Sequence, residues 1–278
     1  MKRLLLGLLC LLLAGAALAS GPTVRERVEA SMVVTGTIKV APDGTVAGYT
    51  LDRAERIAPT VIEVIRKAVT RWTFEPVLLD GKPVIAKARM SLRLVARPIG
   101  EGRFEVGIRS AYFGEADHAM KRDMSTRPRY PEPAIYKRVQ GTVYLALRID
   151  RAGKVDDAFA EQVNLRVITS DTRLKRWREL LAESSLAAAR HWTFAPAAAD
   201  DARRYRVVRV PVAYALHEMG SSEPDLYGQW VGYVPGPIEP SPWFDADTML
   251  SGRSDALPED GGIYGKPSLS LRTPLDRS

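Results

Sequence analysis

The chain has 278 residues, of which 46% are hydrophobic and 26% charged. That is an ordinary globular balance, with length enough for two modest cores. The formal net charge of +7 is spread over dispersed residues such as Arg103, Arg109, Lys121, Arg122, Arg127 and Arg129. A weakly basic, solvated surface of this kind could attract anionic headgroups or cell-wall polymers, but it does not itself define a site. The single cysteine, Cys10, lies in the first twenty residues. The rest of the chain therefore offers no disulfide and no cysteine-ligated metal, which suits an oxidising compartment.

Chain order begins with an export signal. Lys2 and Arg3 are followed by an apolar run over residues 4–13, and Ala17-Leu18-Ala19 has the small-x-small pattern of a cleavage site. Residues 1–19 read as a secretory signal peptide, cut between Ala19 and Ser20. The competing reading, a retained anchor, is disfavoured because the apolar stretch is short for a span and ends in small residues. Without Lys2 and Arg3 the net charge is +5. No later stretch is long and apolar enough to span a membrane. The expected location is the bacterial periplasm, which makes nucleic acid an unsuitable partner.

The body of the chain contains an internal repeat. Trp72-Thr73-Phe74-Glu75-Pro76 returns as Trp192-Thr193-Phe194-Ala195-Pro196. An amphipathic helix precedes each copy in the same phase: Ile57, Val61, Ile65 and Ala68 in the first, Trp177, Leu181, Ser185 and Ala188 in the second. These steps follow one helical face, with Ser185 the polar exception. Thr60 and Glu63 have the spacing of a capping box for the first helix. The proline of each pentapeptide falls where the chain must leave helical geometry.

A hairpin precedes each helix. Val34, Gly36, Ile38 and Val40 alternate before a turn at Pro42-Asp43-Gly44; Val143, Leu145, Leu147 and Ile149 alternate before Asp150-Arg151-Ala152-Gly153. A period of two predicts strands with one buried face, and each turn glycine supplies positive φ. A further strand follows each pentapeptide, with Ala88, Met90, Leu92, Leu94 and Ala96 on one face of the first, and Val208, Val210, Val212, Tyr214 and Leu216 on one face of the second.

The expected fold class is α+β: two tandem ββαβ two-layer units, each an antiparallel sheet with one covering helix, plus an irregular C-terminal tail. The boundaries are residues 28–98 for the first unit, 99–125 for a linker with one strand near residues 104–112, and 126–217 for the second unit. Residues 218–278 form a Pro/Gly-rich tail whose last part is expected to be disordered. Its aromatics, Tyr227, Trp230, Tyr233, Trp243 and Phe244, leave two readings open, covering the second unit's edge strand or binding a partner.

The second unit resembles the TonB C-terminal domain family. The residues that carry the likeness are Tyr130-Pro131 with Ala134, Gly141-Thr142-Val143, Asp150 with Gly153-Lys154-Val155, residues 184–189, His191 to Pro196, and Val210-Pro211-Val212 with Tyr214. The first unit is similar more loosely, keeping Gly44, Val46 and the Trp72 pentapeptide but lacking the Tyr-Pro lead-in. The resemblance implies a periplasmic module that binds an extended peptide by strand addition, with an outer-membrane receptor as a candidate partner. It places the peptide along the strand holding Arg206, Val208, Arg209, Val210, Pro211, Val212 and Tyr214. Pro211 agrees, because a proline within a strand belongs at a sheet edge. Arg127, Arg129 and Tyr130 form the expected receptor-contact segment. The chain departs from an energy transducer in having no evident retained anchor and no long Pro-rich spacer, so binding without energy transduction is expected. An open edge could also support a homodimer.

Enzyme signatures are lacking. Ser184 and Ser185 have no nucleophile elbow, and no Gly-rich phosphate loop appears. His118, His191 and His217 match no zinc spacing, and Asp43, Asp150, Asp156 and Asp157 are turn residues without a calcium-loop pattern. No catalytic residue, metal or cofactor is expected. The alternative function is a stand-alone structural envelope protein, self-associating or attached to the cell wall.

Overall fold

The computed structural model describes residues 24, 27–101, 103–116, 126–198, 201–216, 225–243, 253–259 and 262–275. The signal segment with Ala19 and Ser20, and also His118, His217 and Phe244, lie outside the described residues.

The first sheet is five-stranded and antiparallel. Strands β1 (Glu29–Val40), β5 (Ala86–Pro98) and β6 (Phe104–Phe113) form its body. The other side of β1 is shared by β2 (Val46–Leu51) and a short late strand, β10 (Val231–Tyr233). Helix α1 (Pro59–Val69) covers one face, placing Val61, Ile65 and Val69 against Val34, Met90 and Leu92. An exposed hairpin of β3 (Val77–Leu79) and β4 (Lys82–Val84) follows the pentapeptide. The strand assigned by sequence to a linker is therefore integral to this unit. Its last residue, Phe113, stands edge-on to Phe74 at 5.0 Å and to Trp72 at 5.5 Å, so the first core needs it. The capping box is also corrected. Helix α1 starts with Pro59 at its first turn and Ala58 as its cap, so Thr60 is already inside the helix. Glu63 turns instead to Arg66, at 2.7 Å.

The second sheet runs β8 (Val155–Leu165), β7 (Gly141–Asp150), β9 (Tyr205–Tyr214), all antiparallel. A short helix α2 (Glu132–Tyr136) leads into it, and α3 (Asp171–Ala189) packs on one face. Ser185 is fully buried there. Its hydroxyl meets Tyr214 Oη at 2.8 Å and donates to the Leu181 carbonyl at 2.8 Å, which explains the polar break in the apolar stripe.

The repeated pentapeptide performs the same task in both units. Phe74 N–H donates to the Gly44 carbonyl at 2.8 Å, and Phe194 N–H donates to the Gly153 carbonyl at 2.7 Å. Trp72, Phe74, Trp192 and Phe194 are core residues. Both glycines have positive φ, and a Cβ would stand 2.2 Å from the Phe74 oxygen or 2.0 Å from the Phe194 oxygen.

The expectation of one buried face per strand fails for β7. Val143, Leu145, Leu147 and Ile149 face α3, yet Thr142, Tyr144 and Ala146 on the opposite face are buried too. The first unit and the tail cover that second face. Arg93 of β5 donates to Tyr144 Oη and to Ser31 Oγ, both at 2.8 Å, and its Nε donates to the Asp255 carbonyl. The helical turn Ser254–Ala256 is wedged between the sheets, and Ser91 donates to the Ala256 carbonyl. Arg209 of β9 and Glu161 of β8, 0% and 1% exposed, pair across β7 at 2.7 Å and 3.1 Å.

The tail is irregular, as expected, but the disordered ending is corrected for residues 262–275. Leu269 and Leu271 enter the first core, and Ser268 N–H donates to the Phe113 carbonyl at 2.7 Å. These apolar residues occur singly in a Ser/Pro/Gly context, so average composition hides sites that the two units have already formed. Earlier in the tail, Val234 exchanges backbone bonds with Leu165 at 2.7 Å and 3.2 Å, and Glu239 N–H donates to the Glu161 carbonyl at 2.8 Å. The segment 234–239 thus covers the β8 edge, not β9.

Two stability outcomes are expected. Gly153→Ala should lower unfolding free energy by about 2 kcal/mol, because strain at positive φ adds to a backbone clash; urea denaturation measures it. Glu161→Leu alone should cost about 3 kcal/mol by removing the carboxylate that faces a buried guanidinium, and Arg209→Met added to it should restore most of the loss.

Candidate interaction edge on the second unit

Strand β9 is bonded to β7 along its length, so its other side is a sheet edge. Among the described residues that side carries one strand-like bridge. Arg209 N–H donates to the Tyr264 carbonyl at 2.6 Å, and Tyr264 N–H donates to the Arg209 carbonyl at 2.8 Å. The register against β7 has no shift over β9. The backbone groups of Val207, Pro211 and Ala213 therefore point outward as those of Arg209 do. Pro211 lacks its N–H on the outer side, so the β7–β9 ladder loses nothing, and this is why a proline is tolerated there.

The side chains expected to bind are placed unevenly. Val208, Val210 and Tyr214 face α3 in the core, and Arg209 is held by Glu161. Arg206 donates to the Ala195 carbonyl. Val212 is half-buried and Ala213 exposed. This edge therefore presents main chain rather than a row of specific side chains.

The lead-in segment does meet this strand. Thr126, Arg127, Pro128, Tyr130 and Trp192 form one wall of a groove of about 380 Å³, and residues 211–215 form the other. Trp192 Nε1 donates to the Thr126 carbonyl at 2.6 Å, fixing the wall. The Tyr130 ring stands edge-on to Tyr214 at 5.2 Å, and its hydroxyl donates to the Val139 carbonyl at 2.6 Å. Tyr130 is thus a positioning residue, while Arg127 and Arg129 are exposed. Burial, with a smaller contribution from Tyr214, pushes the Tyr130 phenol up to about 12.

A second cleft, of about 490 Å³, lies between the units and shares residues 213–215 and Glu259 with the groove. Arg53, Arg93, Arg166, Tyr227 and Tyr233 also line it. Sequence reasoning missed Arg93, Arg166, Glu259 and Tyr264. The one local signal was an aromatic flanked by glycines, Gly262-Ile263-Tyr264-Gly265. Among the described residues, no group of three or more His, Cys, Asp or Glu side chains is placed to hold a metal. No described helix is long and apolar enough to cross a membrane.

Residues 126–216 match the protein family described as Gram-negative bacterial TonB protein C-terminal. The second unit is a TonB C-terminal domain. The match coincides with the lead-in segment, β7, β8, α3 and β9, and leaves residues 28–98 outside it. The TonB C-terminal family is a periplasmic, non-enzymatic protein-interaction module, and its members bind proteins such as outer-membrane receptors. No curated protein and no solved structure matches the chain.

The Tyr130 geometry has a pH signature. Below pH about 10 the phenol is neutral in both folded and unfolded chains, so its contribution is complete. Between about 10 and 12 the unfolded chain ionises first, and that contribution is lost as pH rises. Tyr130→Phe should make the alkaline fall in urea midpoint shallower across this window.

Proposed function

We propose that the protein is an exported TonB-like interaction protein that binds an extended segment of a periplasmic or outer-membrane protein at the outer edge of β9. The observation that carries this reading is the outward-facing backbone of Pro211 and Ala213 beside the groove. In strand addition, main-chain bonds supply affinity and neighbouring pockets supply selectivity. An edge whose side chains are committed to the core, next to a groove with Arg127 on its rim, has that division of labour. An outer-membrane transporter is the partner the family favours.

Export is supported by Lys2 and Arg3, the apolar run and the Ala17-x-Ala19 pattern. The first unit is proposed as a degenerate second copy, on the strength of the shared pentapeptide and its identical docking on a turn glycine. Pure self-association through strand edges has less support, because the chain's own tail already bonds to both outer strands of the second sheet.

The test uses a photoreactive amino acid in place of Arg127, irradiated in intact cells. A discrete protein adduct is expected. Ala213→Pro, which removes one outward N–H, should cut that adduct about tenfold or more while retaining the wild-type urea midpoint. An adduct of equal yield in the Ala213→Pro chain would rule out strand addition at this edge.

A further inference from the structure

The tail segment that crosses the candidate edge has the features of a ligand. Tyr264 makes both backbone bonds to Arg209, at 2.6 Å and 2.8 Å, as an added strand would. Its ring is buried and stands edge-on to Tyr112 at 5.5 Å, and the Tyr112 hydroxyl donates to the Gly265 carbonyl at 3.1 Å. Earlier in the same segment, the Glu259 carboxylate sits between two arginines, 2.6 Å from Arg166 and 3.5 Å from Arg93. Glu259 lines both the groove and the inter-unit cleft.

Main-chain pairing, a seated aromatic side chain and a carboxylate held by arginines are contacts that a captured peptide can also make. Among the described residues the tail bridges to β9 at Arg209 and at no other position. A tethered segment of this kind competes through its high effective concentration and not through extensive contact. Resting on the strand-addition reading above, we infer that the segment around Glu259 and Tyr264 is a built-in stand-in for the partner. The external partner is then an extended peptide carrying a carboxylate a few residues ahead of an aromatic side chain. It displaces the stand-in, pairs with more of β9, and takes over Arg93 and Arg166.

A purely structural role for Glu259 is the competing account, since Arg93 is buried and needs a countercharge. The two accounts separate on peptide binding. The probe is a fluorescent synthetic peptide with the sequence of residues 257–266, added to the full chain. Wild type should bind it weakly. Tyr264→Pro, which cannot donate to the Arg209 carbonyl, should bind it at least tenfold more tightly, and Glu259→Gln should also gain affinity. A probe with glutamine in place of its glutamate should lose that gain, as should adding Arg166→Ala. Hydrogen exchange at the Arg209 amide should rise in Tyr264→Pro and fall again when the probe is added. Equal probe affinity in wild type, Tyr264→Pro and Glu259→Gln overturns the proposal. If Ala213→Pro still abolishes the Arg127 adduct in that case, strand addition stands and only the stand-in fails.

Discussion

Arg93 is the constraint on which the arrangement of the molecule depends. A guanidinium taken out of water costs several kcal/mol unless its donors are met. Here they are met from three parts of the chain: Ser31 in its own sheet, Tyr144 in the second unit, and the Asp255 carbonyl in the tail, with Glu259 as nearby countercharge. None of these parts could be withdrawn without leaving a buried charge underserved. The polar seam between the sheets therefore fixes the face each presents to the other and the path the tail takes between them. The buried Arg209–Glu161 pair extends the same seam across β7.

The position of the candidate edge follows from that seam. The non-helical face of the second sheet is committed to the first unit, and α3 occupies the opposite face. What remains is the margin of β9, reached by the tail as it leaves the seam. The lead-in segment is held against the end of this margin by Trp192 and Tyr130. The lead-in segment and β9 thus meet through the same aromatic residues that build the core, so stability and the shape of the groove are linked.

Much of this could be read from residues alone, because it rests on local periodicity. Alternation in β1, β5, β7 and β9 identified their core faces, and the turn glycines marked both hairpins. Pro211 marked β9 as an edge for a reason the backbone geometry upholds. What was hidden is non-local. Alternation distinguishes two faces but does not say what covers the second, and Thr142, Tyr144 and Ala146 look like any solvated face. The strand Phe104–Phe113 reads as a linker until Phe113 is seen between Trp72 and Phe74. Thr60 and Glu63 had the spacing of a cap, but the helix starts at Pro59, two residues earlier than a cap at Thr60 would place it. The tail's apolar residues are too sparse to announce a packed segment, since each fills a site built by residues far away in sequence.

The contacts of Leu271 and Thr273 carry a consequence for the order of synthesis. Thr73 N–H donates to Thr273 Oγ1 across 200 residues of chain, and Leu271 bridges to Phe74 in the same place. The first unit emerges early, yet its core is completed by residues made long afterwards. Closing so long a loop is slow relative to local folding, and it leaves an early core incompletely sealed in the meantime. For a chain read as exported, that interval would coincide with passage to the far side of the membrane, so the finished fold would assemble only there.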